Sequence, residues 1–475
     1  MHRKASLVSA VVCLLFFASA ASIAQESDAT EEIRSMLHIA SGLIPQIDKS
    51  QQWVASNIAQ QQALLGDMNG ALATINHAYD GDRDLAISSL ASIAAHQGNE
   101  GWALSLVQVS IPGNGQGKAQ AYSFIAKSLA GKGTFREALE FVERMENCED
   151  FFGKTSMLVE TLMAIRAGQK KGGDPGGADA TLTLALNAVE REAEYPFEPE
   201  FAQSMPANAY GTIASELARE GDRNAALLIL EHIYPLIAQA PDHRHRQDTI
   251  FSLGYALANI GELQTARDTA EQLEPGQQRD GIMMLIAEKQ ATDADPLQAL
   301  APAMEVSDPR WRNVPLGVIA DSLAASGNYV QALSTIDRID TEAERANWLS
   351  GLAYQLADKN DPAAGFFLQI AWDAARNAGR ETKPYVFAQI AVAKGMTGDF
   401  NHSLEIINAM ADQDRFWAVQ SLAQLLVHAG KKTEAIALAE SQQSAYPKAC
   451  AYLGIASQLS TEEREAAARN QRNLP

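Results

Sequence analysis

The chain has 475 residues, 58 of them acidic and 38 basic, for a formal charge of −20. A surface of that sign repels nucleic acid and anionic lipid, so it excludes a nucleic-acid binder and points to plain solubility or a basic partner. Three cysteines are too few for a disulfide scaffold, and the length is long for one core but ordinary for a repeat array.

The first stretch, MHRK, is basic; the next, ASLVSAVVCLLFFASAASIA, is apolar and ends in small residues. Ser22 and Ala24 meet the small-residue requirement of a signal peptidase, so residues 1–24 are expected to be a signal peptide cut between Ala24 and Gln25. The apolar run is shorter and more broken than the ~20 residues of a membrane span. Cys13 lies inside that run instead of after it, which argues against lipidation. The mature chain is expected to insert in no membrane and to be exported, to the periplasm or outside the cell. Cys148 and Cys450 are about nine repeats apart. Bridging needs Cα atoms within ~7 Å, so two unpaired, mostly buried thiols follow.

Residues 25–50 supply a capping helix before the first unit. From about 51 a pattern repeats, seen in FIAKSLAGKGTFREALEFVERM at 124–145, TIASELAREGDRNAALLILEHI at 212–233, VIADSLAASGNYVQALSTIDRI at 318–339 and SLAQLLVHAGKKTEAIALAESQ at 421–442. Apolar residues spaced by three and four make the stripe of an amphipathic helix. A glycine then falls where the first helix stops: Gly66, Gly98, Gly133, Gly221, Gly261, Gly327, Gly398 and Gly430, with Asn360 in its place once. Glycine takes a left-handed backbone at least cost, and Asn comes next. Five residues on comes a small residue, Ala71, Ala103, Ala138, Ala226, Ala266, Ala332 or Ala435, which lets the second helix approach the first.

A basic residue precedes each first helix: Arg83, Lys118, Arg246, Arg279, Arg312, Arg345, Lys383, Arg415 and Lys448. A cation at a helix N-terminus opposes the macrodipole, so it is expected to serve the free carbonyls ending the preceding helix. The alternative is an anion-binding stripe.

The period near 33, the paired helices and the Gly-turn-Ala spacing resemble tetratricopeptide (TPR) repeats. Tyr329, Phe400 and Phe135, two residues past their turn glycines, match an aromatic of that family, and Trp53 and Trp417 match another. The resemblance covers roughly 50–459 and implies an all-α fold, a right-handed α-α superhelix of about 11–12 helix-turn-helix repeats, of the exported bacterial type. Two arrays are expected, 51–190 and 203–459, joined by the connector 191–202. GQKKGGDPGG at 168–177 reads as a flexible loop within one unit. Ser460 with Glu463 reads as a capping box opening a C-terminal capping helix, 460–475.

No motif carries chemistry. His243 and His245 with Asp242 have metal-ligand spacing, but Arg244 and Arg246 interleave and disfavour a cation. His428 reads as a core histidine. GNGQGKA at 113–119 lacks the Ser/Thr of a phosphate loop and is a linker. Neither G-x-S-x-G nor H-E-x-x-H occurs. Thus no catalytic, metal or cofactor residue is nominated, and the chain is expected not to be an enzyme. The resemblance implies a scaffold for a protein or peptide partner. Its concave groove would be lined by Asp248, Phe251, Tyr255, Glu288, Asp321, Asn347, Tyr354, Tyr385, Trp417, Gln420 and Gln424. The competing expectation is an enzyme or ligand-binding protein acting on a polymer, which needs a deep pocket with clustered carboxylates or histidines.

Overall fold

A computed structural model describes residues 28–48, 53–77, 80–194, 204–293 and 295–472. The leader, and residues 195–202 of the connector, lie outside the described residues. Among the described residues there are helices and no strands. None of these helices is long and apolar enough to cross a membrane.

In chain order the helices are α1 (Asp28–Leu43), α2 (Trp53–Leu64), α3 (Met68–Ile75), α4 (Asp80–His96), α5 (Glu100–Ser110), α6 (Gln116–Lys132), α7 (Phe135–Glu146), α8 (Lys154–Lys171) and α9 (Pro175–Glu194). Next come α10 (Ser204–Arg219), α11 (Arg223–Leu230), α12 (Ile233–Gln239), α13 (His243–Asn259), α14 (Leu263–Ala270), α15 (Gln277–Asp293), α16 (Leu300–Glu305) and α17 (Pro309–Ala325). The chain ends with α18 (Tyr329–Ile336), α19 (Glu342–Asp358), α20 (Ala364–Ala378), α21 (Pro384–Met396), α22 (Phe400–Ala409), α23 (Phe416–His428), α24 (Lys432–Ser441) and α25 (Ala445–Arg472). The architecture is an all-α solenoid built from stacked helix-turn-helix units.

The turns form as their residues dictate. All eight expected turn glycines have φ between 73° and 88°, and Asn360, at φ 54°, is the one non-glycine with positive φ among the described residues. The seven alanines that follow are fully buried. The stretch 168–177 is not a loop. α8 runs on to Lys171, Gly173 turns the chain at φ 78°, and Asp174 caps α9 by accepting from the Gly177 amide at 2.9 Å. The glycines there have a packing cause: a Cβ on Gly168 or Gly172 would come within 3.1–3.2 Å of the Phe135 ring. That ring, at the start of α7, seats on the next first helix.

The connector does not divide the solenoid. α8 packs directly on α10, and one apolar core runs from Ala59 to Val306, carrying Val189 of α9 beside Tyr210 and Ile213 of α10. Nor is 460–475 a separate helix. α25 is continuous, and Ser460 lies buried inside it, its carbonyl accepting from Arg464 Nε at 3.0 Å. The capping-box pattern is overridden because the residues before Ser460, up to Leu459, are already helical and packed in the core shared with α1.

Twelve first helices follow from these contacts among the described residues: α2, α4, α6, α8, α10, α13, α15, α17, α19, α21, α23 and α25. Each packs on its neighbours in that order. Second helices pack on the first helices of their own and the following unit, so they occupy the wider, outer circumference.

The array closes on itself. α1 packs along α25 as closely as a second helix packs on its own first helix, and α25 touches α2. The twelfth unit therefore takes its first helix from the C-terminal end and its second from the N-terminal end. Ile33, Met36, Leu37, Ala40, Ile44 and Ile47 share one buried core with Tyr446, Ala449, Cys450, Leu453 and Ala456. Thr30 Oγ1 donates to Glu463 Oε1 at 2.7 Å, and Lys432 Nζ lies 2.8 Å from Glu32. Trp53 Nε1 donates to the Tyr446 hydroxyl at 2.8 Å, and Phe416 completes an aromatic trio with both. Gly454 lets α25 reach α23; a Cβ there would lie 2.3 Å from the Gln420 carbonyl oxygen. The two expected capping helices thus cover each other instead of two open ends. Twelve first helices spaced by ~9 Å put their axes on a circle of roughly 35 Å, which leaves an opening of roughly 25 Å once the helices' own width is removed.

Candidate functional site: the first-helix face of the ring

Five of the nine basic residues at the first-helix starts, Arg312, Arg345, Lys383, Arg415 and Lys448, pair with groups at the seams between units. Arg345 Nη1 donates to the Ile339 carbonyl at 2.7 Å, just past the end of α18, as expected of a staple. Lys154, which the repeat pattern did not single out, donates to the carbonyls of Glu146 and Cys148 at 2.9 and 2.7 Å. Elsewhere the partner is a carboxylate, at the cation's own seam for Arg415 with Asp412 and Lys448 with Glu440, and at an adjacent seam for Arg312 with Asp340 and Lys383 with Glu344. The residue next to the cation also clasps the seam. Gln247 donates to the Gln272 carbonyl and accepts from the Glu274 amide. Asp280, 2% exposed, accepts from the amides of Ser307 and Asp308 at 3.0 Å each.

His243 and His245 turn to different carboxylates, Glu274 at 3.1 Å and Asp242 at 2.7 Å. Asp242 is also the N-cap of α13, accepting from the His245 amide, and that hydrogen bond holds its carboxyl below the usual range. His428 is exposed, contrary to the core position expected; it closes α23 with its Nδ1 3.3 Å from Gln458 Nε2. GNGQGKA is the turn into α6, with Gly113 at φ 69°. Cys148 and Cys450 are unpaired and buried, and burial pushes both thiols up. Among the described residues no group of three or more His, Cys, Asp or Glu could hold a metal ion.

All of the groove residues lie on first helices, but they fall into separate places. Asp248, Phe251 and Tyr255 of α13 belong to one cluster. Gln278 Nε2 donates to Asp248 Oδ1 at 2.6 Å, and the rings of Phe251 and Tyr255 meet at 5.7 Å, tilted by 47°. Beside them is a hollow of about 530 Å³, lined by Asn208 of α10, Phe251 and Tyr255 of α13, Gln277, Gln278, Gly281 and Met284 of α15 and Trp311 of α17. Four successive first helices contribute and no second helix does, so the hollow opens on the inner layer.

The second place lies on α17 to α23. Asp321 is half-buried, and Gln355 Nε2 donates to its Oδ2 at 3.2 Å. Burial pushes the Asp321 carboxyl up to about 6, with Gln355 and Lys359 opposing. Tyr354 meets Trp417 at 6.0 Å, reaching from α19 to α23 past the intervening α21. Tyr385 is 41% exposed with Lys383 Nζ 5.8 Å above its ring; burial of its hydroxyl, with Glu344 nearby, pushes it up to about 12. Gln420 and Gln424 of α23, Asn347 of α19 and Glu288 of α15 are half-buried. Asn347 is engaged through its backbone, its carbonyl accepting from Ser350 Oγ at 2.8 Å.

Asn208, Gln277, Gln278, Met284 and Trp311 were not legible as site residues. Trp311 could have been noticed as an aromatic just inside a first helix, after the N-cap Asp308 and Pro309. The amides carry no pattern of their own.

No family model and no curated protein matches the chain. Among solved structures it is similar to Ton1535 from Thermococcus onnurineus NA1, at 16% identity over 70% of this chain and 97% of that one, with a TM-score of 0.31. It is also similar to yeast Tom70, at 13% identity over 90% and 100% of the two chains, with a TM-score of 0.30. A third is a circular tandem repeat protein with novel repeat topology and enhanced subunit contact surfaces, at 12% identity over 93% and 100%, with a TM-score of 0.23. These likenesses concern the fold alone.

Proposed function

We propose that the chain is an exported, non-catalytic scaffold, working in the periplasm or outside the cell, that binds a protein or peptide partner on the first-helix face of its closed ring. The observation that carries this reading is that face itself: a continuous layer of twelve helices with aromatics held partly open, Tyr255 at 43% and Tyr385 at 41% exposed. Rigid aromatics on a fixed layer lose little entropy on binding and are the residues that anchor interfaces. The acidic surface favours a basic partner by steering its approach.

The test is co-purification from a native envelope extract, comparing the wild type with two variants of matched thermal stability. These are Tyr255→Ala/Trp311→Ala and Tyr354→Ala/Tyr385→Ala/Trp417→Ala. At least one should lose a specific partner by tenfold or more, the equivalent of about 1.4 kcal/mol. Equal recovery by all three proteins would rule out this face.

A further inference from the structure

The hollow on α10, α13, α15 and α17 has a chemistry distinct from the rest of the acidic chain. None of its lining side chains is charged. The carboxylate beside it, Asp248, is already bound by Gln278. Its walls are the Phe251, Tyr255 and Trp311 rings and the Met284 thioether, and Gly281 leaves the floor open to backbone. A Cβ on Gly281 would press on Phe251 at 3.3 Å. Phe251 and Tyr255 meet at an angle, so they form a corner and not a flat platform. A corner of two rings with a flexible thioether admits one apolar side chain of variable shape.

The amides at the rim have preset polarity. Asn208 Oδ1 accepts from Ser252 Oγ at 2.7 Å, so its two N–H groups remain as donors. Gln278 spends an N–H on Asp248, so its oxygen remains as acceptor. One donor and one acceptor beside an apolar corner match what a single peptide residue offers: a C=O, an N–H and a side chain between them.

We infer that the Asn208–Phe251–Tyr255–Met284–Trp311 hollow is a subsite for an uncharged peptide segment, taking one apolar side chain into the aromatic corner and pairing its backbone with Asn208 and Gln278. This rests on the scaffold reading and narrows it. The acidic surface steers the partner, and the hollow selects a neutral anchor within it. A charged side chain is rejected because the lining offers it no counter-charge, and burying an ion without one is costly.

The test selects peptides from a random display library on the full mature chain, then measures the best of them by fluorescence anisotropy against four proteins. These are the wild type, Tyr255→Ala, Asn208→Asp and, as the control, Tyr234→Ala, which removes an exposed aromatic from a second helix, α12, away from the first-helix face. Asn208→Asp keeps the acceptor for Ser252 and removes the donor, with little change of shape. The selected sequences should share an uncharged core with one apolar residue. Tyr255→Ala and Asn208→Asp should each weaken binding by about tenfold, and Tyr234→Ala by less than about twofold. Replacing the apolar peptide residue by Asp or Lys should abolish binding. Peptides that bind all four proteins equally, or that converge on a charged core, would overturn the subsite while leaving a peptide-binding scaffold standing. Recovery of no peptide, with N-acetylglucosamine oligomers binding in a Tyr255-dependent way instead, would overturn both readings.

Discussion

Asp321 shows how one side chain records its surroundings. Its carboxyl faces a buried stretch of the first-helix layer, with the neutral amide of Gln355 as its hydrogen-bond donor, and burial raises it to about 6. A raised carboxyl contributes stability that is full below the ordinary Asp value near 4 and is lost as pH rises through about 6. At neutral pH the folded protein therefore holds a carboxylate in a place that prefers the neutral form. Asp321→Asn should raise the thermal midpoint at pH 7.5 by roughly 2–4 °C and give no advantage at pH 4. An equal gain at both pH values would mean that the charge is not the cause. Single residues were also where the sequence was most readable. The turn glycines, Asn360 and the alanines after the turns follow from backbone sterics and close approach, both of them local. Gly168 and Gly172 resemble loop residues for an equally local reason, but their cause is the Phe135 ring, more than thirty residues away.

Among the elements, α1 carries the most consequence for its size. Its apolar stripe is buried chiefly on α25, from the far end of the chain, with a smaller contact to α2, the next helix in sequence. Full burial of such side chains contributes ~1.5–3 kcal/mol each, so the six in Ile33–Ile47 amount to something on the order of 10 kcal/mol. A chain lacking residues 28–48 should melt at a much lower temperature. A synthetic peptide of residues 28–48 should restore the midpoint in a saturable way, with a calorimetric binding signal and a gain of helix. If the shortened chain melts like the full one and ignores the peptide, α1 does not close the ring. The helix itself was foreseen, as a cap on the first unit. Its partner was not, since an amphipathic stripe shows that a face will be covered without showing by what. The same limit explains the misplaced boundary at Ser460: the capping-box residues are present, but the stretch before them is already helical because it packs on α1, which arrives from the other end of the chain.

The molecule as a whole is held by a circuit of neighbours with no first and last unit. An open solenoid behaves as a line of units, each stabilised by those beside it, and it frays from its ends. In the closed form the outermost units contiguous in sequence, α2–α3 and α23–α24, are as well covered as the middle ones. Urea unfolding of the wild type should therefore be a single transition, with amide exchange in α2–α3 as slow as in α13–α15. A chain without residues 28–48 should unfold over a broader range, losing protection first at both ends. Early exchange in α2–α3 of the intact chain would count against closure. The solenoid was legible because its unit is repeated many times. The ring was not, because closure is the sum of small rotations at every seam and no single unit encodes it.

The closed count has a further consequence, for what lengths of chain this fold can take. A linear stack can gain or lose a unit by duplication or deletion and remain a stack. Here each unit must supply about a twelfth of a full turn, so that the last seam meets the first. An added unit would leave α1 overlapping α25, and a missing one would leave a gap that neither helix could span. The number of repeats is therefore fixed by geometry, and a chain with eleven or thirteen units would need a different angle at every seam.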